Sequence, residues 1–135
     1  LLIGVPYMQD IRVRRCTCGN CGEINPPWGH VNSFTEEKLT TLFAGMKVVS
    51  INKVGRSKEV TNFISTFLFD YAGNPFGSYE QDEPCIFCGK NIGLPVKRDR
   101  ILKKIASRFA FILNKIQKKI TKPHENWIHI LFIKE

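Results

Sequence analysis

Two copies of Cys-x-x-Cys-Gly stand in the chain, Cys18-Gly-Asn-Cys21-Gly22 and Cys85-Ile-Phe-Cys88-Gly89. Two thiolates three residues apart can grip one edge of a tetrahedron, and two such pairs complete the four-sulfur set that zinc takes in structural sites. The glycine after each second cysteine permits the tight turn that points backbone N–H groups at the sulfurs. Four thiolates leave no open position for water, so the expected metal, Zn2+ on Cys18, Cys21, Cys85 and Cys88, is structural rather than catalytic. The alternatives are a pair of disulfides or a set of buried free thiols. Disulfide frameworks belong to short exported chains, and no secretory signal is visible. Redox Cys-x-x-Cys sites come singly, at the start of a helix beside a strand, and neither pair has that setting. Cys16, two residues before the first pair, and His30, nine residues past Cys21, remain as alternative ligands, with the spacing favouring Cys18 and Cys21.

The elements that must position these residues follow from periodicity and turn chemistry. With 135 residues, 43% of them hydrophobic, the chain has material for one domain. Leu1 to Val5 is an apolar run stopped by Pro6, which reads as a buried strand. Residues 7 to 32 read as irregular. Ser33 and Glu36 form a capping box for a helix striped by Phe34, Leu39, Leu42 and Phe43 and stopped by Gly45. Lys47 to Asn52 reads as a strand. A second helix is predicted from Lys58 to Tyr71, ended by Gly73-Asn74-Pro75, followed by a loop region that holds the second cysteine pair. A long helix is predicted from Arg98 to Thr121, and Trp127 to Ile133 reads as a final strand. No apolar run approaches the roughly 20 residues that cross a bilayer. Reduced cysteines without an export signal predict a cytoplasmic protein, and the strand-like, methionine-less opening predicts a piece of a longer chain.

Charge is concentrated in one place. Lys97 to Lys122 holds ten Lys or Arg against a single Asp, a segment charge of +9, which leaves −1 for the rest of a chain whose net charge is +8. In the long helix Ile101, Leu102, Ile105, Phe109, Ile112, Leu113, Ile116 and Ile120 line one face, with Lys103, Lys104, Arg108, Lys115, Lys118 and Lys119 mostly off it. Three readings stay open: a helix packed on the domain with a solvated basic face, a helix lying on an anionic membrane surface over residues 98–121, and a surface for phosphate-rich partners such as nucleic acid. The second would make the protein peripheral to the membrane.

The order of elements resembles the C-terminal half of class I S-adenosylmethionine-dependent methyltransferases. The likeness is carried by Leu1-Leu2-Ile3-Gly4-Val5-Pro6, by Gly29-His30-Val31-Asn32-Ser33-Phe34, by the Ser33-to-Ala44 helix, by Gly45-Met46-Lys47-Val48-Val49 and by the closing strand. It implies an α/β fold: a partial Rossmann-like sheet made of the family's fifth, sixth and seventh strands, the last antiparallel and slotted between the other two. The whole chain, 1–135, would be a single domain, with residues 7–32 and 54–126 as insertions that carry the cysteine pairs and the basic helix. The activity implied is methyl transfer to a small-molecule, glycan or lipid-linked substrate. His30, after the fifth strand, is then the candidate general base, and Tyr7, at the same strand end, a substrate-binding candidate. No Gly-x-Gly occurs in the sequence, so the glycine-rich turn that seats the methyl donor would lie in the missing N-terminal half. No catalysis is expected from this chain alone. The rival reading is a stand-alone zinc-ribbon module that binds nucleic acid or another anionic partner through its basic helix.

Overall fold

The computed structural model describes residues 1–43, 45–94 and 100–134, which run β1 (Leu2–Pro6), β2 (Cys16–Thr17), β3 (Ile24–Asn25), a 3-10 turn (Pro27–Gly29), α1 (Glu36–Thr41), β4 (Met46–Val54), α2 (Phe63–Ala72), α3 (Ile101–Ile120) and β5 (Trp127–Lys134). The chain divides into two compact units. The sheet unit comprises Leu1–Gln9, Asn32–Glu59 and the chain from Lys122, and the cysteine unit comprises Asp10–Val31 and Val60–Thr121.

In the sheet unit, strict alternation along β5 buries Ile128, Ile130 and Phe132 on one face and leaves Trp127, Leu131 and Ile133 on the other. β5 is the middle strand, antiparallel to β1 on one side and to β4 on the other. Ile130 therefore faces Ile3 of β1 and Ile51 of β4 in register. Leu39 of α1 closes over this face, and the core adds Val5, Tyr7, Phe34, Phe43, Met46 and Val48 around the three β5 side chains. β1 and β4 run in the same direction but never pair, because β5 lies between them. The described residues thus form an antiparallel sheet and no parallel Rossmann ladder; the single parallel contact is the Tyr7–Phe34 bridge.

Several boundaries depart from the sequence reading for local reasons. α1 is capped by Thr35, whose side chain accepts from the Lys38 amide at 3.2 Å, and not by Ser33. The Met8 amide donates to the Phe34 carbonyl at 2.8 Å and holds that residue extended, so the helix cannot begin earlier. α1 ends at Thr41 with Leu42 as its cap, ahead of the expected stop at Gly45, and Ala44 lies outside the described residues. α2 begins at Phe63 rather than near Lys58, because the Thr61 amide is taken by the Asp10 carboxylate at 3.0 Å and Asn62 caps Ser65 at 2.8 Å. Its end is as expected, at Gly73 in the left-handed region (φ 83). The expected start of α3 at Arg98 lies outside the described residues. The stretch read as irregular contains the β2–β3 pair and the 3-10 turn.

In the cysteine unit α2 and α3 pack as an antiparallel pair. The start of α2 meets the end of α3 through Thr61–Asn114 (3.0 Å) and Asn62–Gln117 (2.7 Å), and its end meets the start of α3 where Lys103 sits 5.8 Å from the Tyr71 ring. The buried positions of the two helices are small: Ser65, Thr66, Ser107 and Ala110. The segment before the first cysteine pair grips α2 and its flanks with polar groups, through Asp10 and Arg12 at Thr61, Arg15 at Asp70 (3.4 Å) and Thr17 at Asn74 (3.2 Å). These contacts leave the apolar stripes of both helices turned outward.

Candidate metal centre

Each cysteine pair is built by the same backbone turn. In the first, the Cys18 amide donates to Glu23 O and the Gly22 amide to Cys18 O, both at 2.9 Å; in the second, the Cys85 amide donates to Lys90 O at 2.8 Å and the Gly89 amide to Cys85 O at 2.9 Å. Gly22 (φ 81) and Gly89 (φ 69) sit in the left-handed region that a side chain resists, which accounts for the glycine after each second cysteine.

The two turns face each other and bring four sulfurs together. The Sγ atoms of Cys18, Cys21, Cys85 and Cys88 all lie within 4.8 Å of one another, with Cys21–Cys85 at 3.6 Å and Cys18–Cys88 at 3.8 Å. A zinc–sulfur bond of about 2.3 Å gives a tetrahedron edge of about 3.8 Å, so these separations suit a single structural Zn2+. All five cysteines are free thiols, so the disulfide reading does not hold. Cys16 is buried on β2 beside the cluster and its Sγ points to the Arg14 carbonyl at 3.8 Å, outside the four-sulfur set. Burial pushes the Cys16 thiol up to about 11, which keeps it protonated at neutral pH.

The electrostatics of the cluster favour thiolates at its centre. Burial alone would raise the Cys85 thiol, but the amides of Cys88 and Phe87, the Asn25 side chain and Cys21 together bring it down to about 6. Cys18 is lowered in the same manner, its burial outweighed by the amides of Cys21 and Asn20. At Cys21 the Glu23 amide favours the thiolate, but burial and the neighbouring sulfurs outweigh it and push the thiol up to about 12. Four sulfurs this close cannot all be anionic without a cation among them, and a divalent metal is the group that resolves the repulsion.

Three residues that spacing did not single out tie the two turns to each other. Asn25 is buried; its Nδ2 donates to Cys85 Sγ at 3.3 Å and to Glu23 O at 3.1 Å, while its Oδ1 accepts from the Ile86 amide at 2.9 Å. Asn20 Nδ2 donates to Asn91 O at 3.0 Å and approaches Cys18 Sγ at 3.9 Å. Gly19 donates to Gly93 O at 3.1 Å, and a Cβ there would come within 2.7 Å of Leu94 O and 2.9 Å of Gly93 O. A sequence signal exists only for Gly19 and Asn20, which fill the x-x positions of the first motif.

Groups that orient metal ligands are commonly worth about 10- to 100-fold in affinity, so Asn25→Ala is expected to weaken zinc binding by that order in competition with a chelating dye. Gly19→Val is expected to force the two turns apart and lower the thermal midpoint, at a cost of about 1–3 kcal/mol typical of overpacking. An unchanged midpoint would mean that residues 93–94 give way freely.

The remaining candidates sit elsewhere. His30 follows the 3-10 turn in the cysteine unit, with its amide donating to Pro27 O at 3.1 Å and its ring 6.1 Å from that of Trp28; it contributes no ligand to the four-sulfur cluster. Tyr7 belongs to the sheet unit, where its amide donates to Asn126 O at 2.9 Å and Lys53 Nζ lies 4.9 Å from its ring. Lys53 also pairs with Glu36 Oε2 at 2.7 Å, and that hydrogen bond is the main reason its ammonium is held above the usual lysine range. Tyr7 and His30 thus belong to different units. Comparison with protein-family models, curated proteins and solved structures finds no match to the chain.

Proposed function

We propose that the chain is the C-terminal portion of an S-adenosylmethionine-dependent methyltransferase, with its cysteine unit held by one structural zinc. The observation that carries this reading is the strand order β1-β5-β4, with β5 antiparallel to both neighbours. That order is what the resemblance implies for the fifth, seventh and sixth strands of the family, with α1 between the fifth and sixth. A second observation points the same way. The sheet face opposite the core carries Leu2, Leu131 and Ile133, all exposed, and a sheet in a doubly wound fold buries both faces.

The methyl donor would supply an electrophilic carbon on a sulfonium, and its seat is not among these residues, since no Gly-x-Gly turn occurs. In this reading Tyr7, at the end of β1, is the candidate for substrate contact and His30, in the cysteine unit, keeps the role of base only as the resemblance implies it, in a protein that acts on a small-molecule, glycan or lipid-linked acceptor. Sequencing the coding region upstream of Leu1 tests the reading. A frame continuing into an apolar strand and a glycine-rich turn supports it. A start codon or an unrelated domain there overturns it and leaves a zinc-bearing binding module.

A further inference from the structure

α3 has three sectors, and their arrangement is unusual for a helix of a folded unit. At about 100° per residue, Ile101, Ile105, Phe109, Ile112, Ile116 and Ile120 fall within an arc of about 100°. All six are exposed, Ile120 at 79%. Lys104, Arg108, Lys115, Lys118 and Lys119 fill the next arc of about 100°. The third sector, centred on Ala110 at 0% exposure, makes the contacts with α2. A helix normally turns its apolar stripe into the core; here a seam of small and polar side chains is buried and the stripe faces out. α2 repeats the pattern, with Ser65 and Thr66 buried and Phe63, Ile64 and Phe67 exposed.

We propose that α3 docks this chain on an anionic lipid bilayer, lying in the plane of the surface with its apolar arc among the acyl-chain boundary and its cations at the headgroups. Charge decides the occupant. α3 carries six Lys or Arg and no acidic residue, and its cations adjoin the apolar arc, where their stems can reach lipid phosphates while the arc inserts. A second copy of the same helix would bring two such cationic arcs together, a juxtaposition that repels. Nucleic acid would satisfy the cations but leave the apolar arc in water. Spanning is not the mode, because no described helix is long and apolar enough to cross a membrane.

The test is co-sedimentation of the zinc-loaded chain with two sets of vesicles, phosphatidylcholine alone and a mixture of about 7:3 phosphatidylcholine to phosphatidylglycerol. Binding to the anionic vesicles is expected, falling steeply between about 50 and about 500 mM salt, with little binding to the neutral set. The exposed pair Lys115→Glu with Lys119→Glu is expected to reduce anionic binding about tenfold or more, and Phe109→Ser with Ile116→Ser to do the same without altering the salt slope. Zinc content and circular dichroism of each variant confirm that the unit is folded. Failure to bind anionic vesicles overturns the proposal, whether or not nucleic acid binds. Equal, salt-independent binding to both vesicle sets also overturns it, as does a stable dimer that both Ser substitutions dissociate and that excludes lipid. None of these outcomes depends on the methyltransferase reading.

Discussion

Cys85→Ser is expected to empty the metal site and disorder the two cysteine turns, because a metal shared by the four sulfurs would be the main tie between them. Purified wild type should carry about one zinc per chain by elemental analysis, and the variant close to none. Structural zinc contributes about 10–16 kcal/mol of apparent binding energy in small finger peptides, comparable to the entire stability of an ordinary domain at about 5–15 kcal/mol. Between the two cysteine turns themselves the bonds that remain after metal loss are few: Asn25 to Cys85 and Ile86, Asn20 to Asn91, and Gly19 to Gly93. Chelation of the wild type is therefore expected to open both cysteine segments to proteases, and acidification should act in the same direction as protons compete for the thiolates. Cys16→Ser separates this account from a general effect of removing buried sulfur. Cys16 lies outside the four-sulfur set, so that variant should keep its zinc. Unchanged protease resistance after verified metal removal would show that the sulfurs cluster without holding the segments.

Phe132→Ala is expected to cost the sheet unit about 3–5 kcal/mol, the range for emptying a buried aromatic site. Phe132 is fully buried on the middle strand, packed 5.3 Å from the Phe43 ring with Ile128 and Ile130 beside it on β5. The neighbouring substitution Leu131→Ala is the control, since that side chain points to the opposite, exposed face, where changes usually stay within about 0.5 kcal/mol. Urea unfolding followed by the fluorescence of Trp127 reads both. Equal losses at the two positions would mean that the outer face is covered in the folded protein, as a longer methyltransferase fold would require.

Much of the metal centre could be read from spacing alone. A Cys-x-x-Cys-Gly motif encodes its own turn, so two copies of the motif predict two like turns, and both form with the same pair of backbone hydrogen bonds. The strands were readable for a similar reason, since alternation in Trp127–Lys134 and the apolar run of Leu2–Pro6 are local properties. Helix starts are less legible in the sequence. Ser33 and Lys58 are plausible openings by composition, yet the Tyr7–Phe34 bridge and the Asp10–Thr61 bond hold the chain extended past them, and Thr35 and Asn62 become the caps. Both bonds join residues distant in sequence, where no local pattern reports them. Asn25 carries no local signal for the same reason: its role exists only once the second cysteine pair lies against β3.

What the sequence determined by itself is the chemistry available at each point: the thiol pairs, the glycine turns, the amphipathic period of α2 and α3 and the concentration of cations beside an apolar stripe. The tertiary structure decided which of those properties face each other. It brought two cysteine pairs separated by 64 positions to within bonding distance of one metal, left Cys16 out, and placed β5 between β1 and β4. It also decided which side of each helix is buried. Periodicity shows that a helix has an apolar side, but burial depends on what packs there; in α2 and α3 a seam of Ser65, Thr66, Ser107 and Ala110, fastened by Asn62–Gln117 and Thr61–Asn114, takes the interior. Small side chains let two helix backbones approach closely, and the Thr61–Asn114 and Asn62–Gln117 hydrogen bonds join the pair, so the apolar stripes remain outside.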